Sequence, residues 1–122
     1  MSQTLDQVRS SLAWEYAKKG MKEHGKAYKS LAKGAPALIM NSGLMATLAF
    51  YKNKDKDKAA LQLLNDLCGG LVARRRPNPA PRDFAGLMDL LQKMPSSEYL
   101  GYTDESLEIL KWIRQFVDAV EG

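Results

Sequence analysis

The apolar positions of this chain recur with helical spacing, and no useful length of it alternates between apolar and polar residues as a half-buried strand does. In residues 107–120 the apolar side chains fall at intervals of three and four, which places them on one helical face. The longest apolar run covers residues 35–51 and contains Pro36, a residue suited to the first turn of a helix. The pattern predicts an all-α protein with a buried central helix over residues 36–54.

Capping residues and helix breakers divide the remainder of the chain. Thr4 and Gln7 have the spacing of a capping box, so a long first helix is expected to start at Thr4. No proline precedes Pro36, and Gly34 is a suitable helix end, so this helix should reach residue 33. Further helices are predicted over residues 57–73, 81–94 and 103–120, with one helical turn at 96–100 before a cap at Thr103.

These elements predict a single domain over residues 1–122, built as a bundle of about five to six helices. Residues 74–81 form an internal loop rich in arginine and proline, because three prolines within five residues cannot continue a helix. In the central helix, Ile39, Gly43, Ala46 and Phe50 would share one face. The small residues Gly43 and Ala46 predict a close crossing with another helix, which a larger side chain at position 43 would overpack.

The sequence argues against a disulfide-linked protein and against a membrane-spanning one. The sequence has 122 residues, of which 45% are hydrophobic and 26% charged, as in ordinary globular domains. Its single cysteine, Cys68, cannot form a disulfide within the chain and is expected to be a small core residue. We expect a cytoplasmic protein without a membrane span, because no signal-peptide pattern is visible and polar residues interrupt the apolar run.

The net charge of +4 is modest, but the basic residues are not evenly spread. Five lysines recur at intervals of four, four, three and four, within an arc of about 80° on a helix. They are Lys18, Lys22, Lys26, Lys29 and Lys33. Such a row is either a solvated helix face or a track for phosphates. The triplet Arg74-Arg75-Arg76 is likewise either a second anion site or a basic helix end favoured by the macrodipole.

Signals for catalysis are weak. His24 stands in a lysine-rich segment without a partner three or four residues away, and one cysteine with one histidine cannot build a usual zinc site. The sequence contains no glycine-rich phosphate loop and no nucleophile elbow. We therefore expect no catalytic residues, no metal and no cofactor.

Two segments, taken in order, resemble one known family. The first has the pattern Leu38-Ile39, Gly43-Leu44, Thr47-Leu48-Ala49-Phe50. The second, about fifty residues later, has the pattern Tyr99-Leu100, Thr103, Glu105, Leu107, Ile109-Leu110, Trp112-Ile113, Phe116. Together they resemble the small subunit of the type III-B CRISPR effector, the Cmr complex. Met40-Asn41 departs from this pattern, because basic residues are expected there.

The resemblance implies an all-helical, non-catalytic subunit that acts in several copies along a filament. Its expected partners are copies of itself, the backbone subunit, the large signalling subunit, and the guide and target RNA. In such a complex base pairing reads the sequence, so this subunit needs only charge and shape. The residues expected to contact RNA are Lys18, Lys22, Lys26, Lys29, Lys52, Lys54, Arg74, Arg75, Arg76, Lys111 and Arg114.

Two other functions stay open at this point. The chain could be a helical adaptor that binds only proteins, with its lysines merely solvated. It could also be a DNA-binding regulator, although no helix-turn-helix signature supports base readout.

Overall fold

The computed structural model describes the backbone of residues 2–121 and the side chains of residues 2–120. Within that part of the chain the protein is all-α, as predicted, with six helices and no strand. None of these helices is both long and apolar enough to cross a membrane. The helices are α1 (Leu5–His24), α2 (Lys26–Ser42), α3 (Leu44–Asn53), α4 (Lys58–Arg75), α5 (Phe84–Lys93) and α6 (Ser96–Glu121).

The capping box predicted at the start of α1 is confirmed. The Gln7 N–H donates to Thr4 Oγ1 over 3.1 Å, and the Thr4 N–H donates to Gln7 Oε1 over 2.8 Å. The prediction of one helix to residue 33 is wrong, because Gly25 breaks it with a φ of +55°. Only glycine adopts such a backbone conformation without strain, so α1 and α2 fold back on each other there.

Helix α2 passes through both residues that were predicted to separate two helices. Gly34 and Pro36 lie inside it, so the predicted end at residue 33 and start at Pro36 are wrong. The reason is its buried stripe, which continues across the proline at helical spacing. Burial of that stripe offsets the hydrogen bond that the proline cannot donate. The stripe consists of Tyr28, Ala32, Ala35 and Ile39.

The second break in the apolar run falls at Gly43, which was predicted to lie inside a helix. Its φ of +90° ends α2 and starts α3, so the buried face changes direction. Ala46 and Phe50 are exposed, and the predicted shared face is therefore wrong. The buried residues of α3 are Leu44, Thr47, Leu48 and Tyr51.

Gly43 is needed for its backbone angles and not for a tight crossing. An added Cβ would meet only the Tyr99 hydroxyl at 3.7 Å, which is an ordinary contact. That hydroxyl accepts a hydrogen bond from the Met45 N–H over 3.1 Å and so caps the start of α3 from α6.

Helices α4 and α5 follow the prediction closely. Asp57 caps α4 through the Ala60 N–H, and Asp83 caps α5 through the Gly86 N–H. The predicted turn at 96–100 and the cap at Thr103 are wrong, because α6 is continuous from Ser96. The Thr103 hydroxyl instead donates to the Tyr99 carbonyl inside that helix.

Helix α6 is the axis on which α1, α2 and α4 pack. Arg9 lies beside Glu105, and Trp14 beside Phe116, so α1 runs parallel to α6. Contacts of Arg75 with Gly101 and of Gly70 with Ile109 show that α4 runs antiparallel to α6. The core between them includes Ala13, Ala17, Leu67, Ile109 and Ile113, all fully buried.

Candidate nucleic-acid interface

Three lysines of the predicted row surround a shallow hollow at one end of the bundle. Lys18 and Lys22 come from the last turns of α1, and Lys26 is the first residue of α2. The hollow has a volume of about 360 Å³, and its floor includes Met21, Gly25 and Val120. The row was predicted on one continuous helix, but the turn at Gly25 still leaves these three side chains around one site.

The charges at this hollow are only partly compensated within the chain. Lys18 Nζ lies 3.1 Å from Glu15 Oε2, but these side chains are 46% and 67% exposed, so the pair is weak. Among residues 2–120, Lys22 and Lys26 have no acidic side chain within ion-pair distance. Like charges one turn apart repel each other, so a bound polyanion would relieve this repulsion.

The other two lysines of the row have an acidic partner on α6. Lys29 Nζ lies 3.0 Å from Asp118 Oδ1, and Lys33 Nζ lies 2.9 Å from the same oxygen. Hydrogen bonds from Lys33 and Lys29 hold the pKa of Asp118 below its ordinary value. The predicted RNA contact Lys29 is thus paired with Asp118, whereas Lys22 and Lys26 have no such partner among the side chains of residues 2–120.

The Arg74–Arg76 triplet divides into residues with different surroundings. Arg74 is only 15% exposed, and its Nε lies 3.7 Å from Glu105 Oε2, beyond hydrogen-bond distance. Arg9 approaches the same carboxylate through two hydrogen bonds of 2.7 and 3.0 Å. Burial raises the pKa of Glu105, but the Arg9 hydrogen bond and the charges of Arg9, Arg74 and Arg75 outweigh it, and the pKa lies below its ordinary value.

The remaining two arginines of the triplet lie at the surface. The Arg75 guanidinium stands 5.2 Å from the Tyr102 ring centroid and covers Gly101 of α6. Arg76 is exposed at the end of α4 with a φ of +50°. The structure therefore does not bring the triplet together as one anion site, since Arg74 faces a buried carboxylate.

Four further predicted contacts are dispersed over other helices. Lys54 Nζ lies 4.9 Å from the Phe50 ring centroid, and Lys111 Nζ lies 5.6 Å from that of Trp112. Arg114 is exposed on α6. Lys52 stands 5.7 Å from the Phe84 ring, in a second groove away from the lysine hollow.

That second groove has a volume of about 560 Å³ and lies between α4 and the start of α5. Its lining is largely apolar and includes Cys68, with Lys52 and Arg82 at its rim. Burial raises the pKa of the Cys68 thiol to about 11, although the nearby Lys52 charge acts in the opposite direction. The thiol is thus neutral and unreactive at physiological pH, in keeping with the packing role predicted for it.

Sequence reasoning missed the aromatic side chains beside the hollow. Trp14 is 38% exposed and contacts Phe116 across the α1–α6 boundary. Their contact joins α1 to the far half of α6, so no local pattern in the sequence indicates it. The sequence held one indication of an aromatic ring near the lysines, because Trp14 and Lys18 lie one helical turn apart on α1.

The candidate site can bind ligands through fixed positive charge. No group of three or more metal-ligating side chains occurs within the described residues. An ammonium cluster next to an exposed aromatic ring can hold phosphates and a flat apolar group. Fold and surface together define a small, single-domain, all-helical protein with a localised basic face.

Comparison with known proteins assigns this chain to one family. The model of the CRISPR-associated protein family Cas_Cmr5 matches residues 5–120. The chain therefore belongs to the Cmr5 family and is a small subunit of the Cmr, or type III-B, complex. This confirms the resemblance recognised in the sequence.

The fold agrees with that of a solved relative. The crystal structure of a CRISPR-associated Cmr5 family protein from Thermus thermophilus superposes with a TM-score of 0.79 at 27% sequence identity. The match covers 99% of this chain and 100% of that one. No curated protein sequence gives a significant match.

Proposed function

We propose that this chain is a non-catalytic subunit of the type III-B effector and contacts the guide–target RNA through the hollow formed by Lys18, Lys22 and Lys26. The observation that carries the proposal is the convergence of three lysines from two helices, two of them without an acidic partner within residues 2–120. Phosphate contacts of this kind need no base readout, because pairing between guide and target supplies the sequence specificity.

Other exposed groups suit the proposed position between neighbouring subunits along a filament. Met40 is 76% exposed, Leu100 60% and Phe50 47%, although all three are large and apolar. Isolated exposed apolar residues are common, but burial of these three against other subunits would stabilise an assembly. We propose copies of this chain, the backbone subunit and the large signalling subunit as the partners.

The residues predicted to contact RNA differ in how well their surroundings in the fold suit that role. Lys18, Lys22 and Lys26 are the proposed primary contacts, and Lys29 joins them once RNA competes with Asp118. Arg75, Arg76, Lys111 and Arg114 are surface cations that can add contacts elsewhere. Lys52 and Lys54 are directed at aromatic rings, and Arg74 is proposed to stabilise the fold through Glu105.

Charge reversal in the assembled complex tests the proposal. The variant Lys18→Glu/Lys22→Glu/Lys26→Glu should assemble normally and lose target RNA capture by roughly tenfold or more at physiological salt. A matched control, Lys56→Glu/Lys58→Glu/Lys93→Glu, changes three exposed lysines outside the hollow and the net charge by the same amount. Capture by this control should equal that of the wild type.

The alternative function, a helical adaptor without nucleic-acid contact, predicts another result. In that case both triple variants would capture target RNA equally well, provided that both assemble. Such a result would contradict the proposed RNA contact and favour a subunit that binds only proteins.

A further inference from the structure

An exposed aromatic side chain stands beside the lysine hollow. The Trp14 indole contacts the Phe116 ring edge-on, with centroids 5.1 Å apart and planes at 82°. Phe116 packs in turn on Trp112, with centroids 5.7 Å apart. Helix α6 thus holds the indole in a defined orientation, while 38% of the Trp14 residue surface remains exposed to solvent.

Lys18 connects this indole to the hollow. Its Nζ lies 5.7 Å from the Trp14 ring centroid, and its side chain also lines the hollow with Lys22 and Lys26. Trp14, Lys18 and Lys22 are successive neighbours along one side of α1, since each is four residues from the next. Proteins hold single-stranded nucleic acid with this combination, because bases stack on the ring while cations hold the phosphates.

We propose that Trp14 is a stacking platform for one unpaired base of an RNA whose phosphates lie in the lysine hollow. The proposal rests on the proposed function, because the lysines supply most of the affinity, and it names an unpaired nucleotide as the preferred ligand. When the base stacks, it displaces the Lys18 ammonium from the ring toward the adjoining phosphate.

The surroundings favour a nucleic acid over an apolar protein surface at this place. Lys22 and Lys26 have no acidic partner within residues 2–120, and a protein that covered them would have to supply carboxylates. A nucleotide supplies the negative charge and the flat aromatic surface in one ligand.

Fluorescence of the full chain can report on Trp14 alone. The sequence has two tryptophans, and the buried Trp112 Nε1 makes no hydrogen bond within the described residues, so Trp112→Phe sacrifices none. In this background we expect a 12-nucleotide adenosine RNA to quench the Trp14 emission. An abasic strand of the same length and charge should bind without that quenching.

Affinity for the same two strands separates stacking from charge. Trp14→Leu should weaken binding of the adenosine strand by about 5- to 30-fold and leave binding of the abasic strand unchanged. Trp14→Phe should restore most of the loss, because a ring remains. Phe50→Leu is the matched control: Phe50 is 47% exposed with Lys54 4.9 Å from its ring, but it lies on α3, outside the hollow.

The outcomes distinguish this proposal from the one on which it rests. Equal weakening of both strands by Trp14→Leu, or no weakening of either, overturns the stacking platform. If Lys22→Glu/Lys26→Glu still weakens binding of both strands, the RNA contact at the lysine hollow stands without the stacking platform. If neither Trp14→Leu nor Lys22→Glu/Lys26→Glu changes binding of either strand, both proposals fail. Loss of assembly by Trp14→Leu with unchanged affinity for both strands would instead assign Trp14 to a protein contact. Circular dichroism of each variant ensures that only folded protein is compared.

Discussion

The Lys33 ammonium donates hydrogen bonds of 2.9 and 3.0 Å to the two carboxylate oxygens of Asp118. This pair joins α2 to the far end of α6, 85 residues along the chain. Lys29 shares the same carboxylate, so one acidic residue compensates the part of the lysine row farthest from the hollow. The row predicted from the sequence is therefore divided: Asp118 compensates Lys29 and Lys33, whereas Lys22 and Lys26 have no acidic partner within residues 2–120.

Removal of this carboxylate should strengthen RNA binding. Asp118→Asn frees Lys29 and Lys33 for phosphates, and we expect the affinity of the assembled complex for target RNA to rise by about three- to tenfold at physiological salt. Stability should change little, because Asp118 is exposed and solvent screens its ion pairs. Filter binding and thermal unfolding measure the two effects, and an affinity that falls would contradict this assignment.

Glu105 should stabilise the fold and should not contact RNA. It is 5% exposed and compensated by Arg9 and Arg74, so Glu105→Gln leaves two arginines without their buried counter-charge. We expect a loss of about 2–4 kcal/mol in the free energy of unfolding. Glu108→Gln is the control, because Glu108 is 38% exposed and lies 3.6 Å from Arg9; it should cost no more than about 0.5 kcal/mol.

The pH dependence of this contribution follows from the depressed pKa of Glu105. Its stabilisation is fully present above the ordinary glutamate pKa and is lost as the pH falls through the lower pKa of the folded state. Urea unfolding between pH 2 and 7 should therefore show the wild type and Glu105→Gln converging in acid. Parallel curves over this range would refute the role given to the Arg9–Glu105 pair.

Asp66 should have the opposite pH dependence. Burial raises its pKa to about 6, although hydrogen bonds from Tyr28 over 2.6 Å and from Gln62 over 2.9 Å act against this shift. The resulting stability is fully present below the unfolded-state pKa of aspartate and is lost as the pH rises through about 6. Relative to Asp66→Asn, the wild type should lose up to about 3 kcal/mol between pH 4 and 7. A constant difference between the two proteins would show that Asp66 does not titrate in this way.

Two glycines inside helices should respond in opposite directions to alanine. A Cβ at Gly20 would lie 2.5 Å from the Tyr28 ring, and that ring is fully buried and held by Asp66. Gly20→Ala should therefore cost about 1–3 kcal/mol through overpacking. A Cβ at Gly34 meets nothing within 4 Å, so Gly34→Ala should stabilise α2 by about 0.5–1 kcal/mol. Chemical denaturation compares them, and equal effects would contradict the packing described for α1 and α2.

Local signals predicted the helices well, and distant contacts explain the errors. The cap at Thr4 depends on Gln7, three positions away, so the sequence reveals it. The break at Gly43 depends on a positive φ and on a cap from Tyr99, which is 54 residues from Met45. Nothing in the apolar periodicity of residues 36–54 reports such a contact.

At the candidate site, too, the sequence revealed local spacing but not contacts between distant residues. Spacing predicted that the five lysines share one side, but it could not show which of them Asp118 would compensate. The Arg74–Arg76 triplet looked uniform in the sequence, yet Arg74 faces Glu105 in the fold. Spacing along the sequence indicated the candidate surface, and tertiary contacts distinguished its paired lysines from the others.

The salt dependence of target RNA binding by the assembled complex tests the central claim most directly. Each phosphate contact contributes roughly 0.7–0.9 to the slope of log affinity against log salt concentration. For Lys22→Gln/Lys26→Gln we predict a slope shallower than that of the wild type by about 1.4–1.8, and for the control Lys56→Gln/Lys58→Gln no change. Identical slopes for all three complexes would contradict the claim that the hollow at Lys22 and Lys26 holds RNA phosphates.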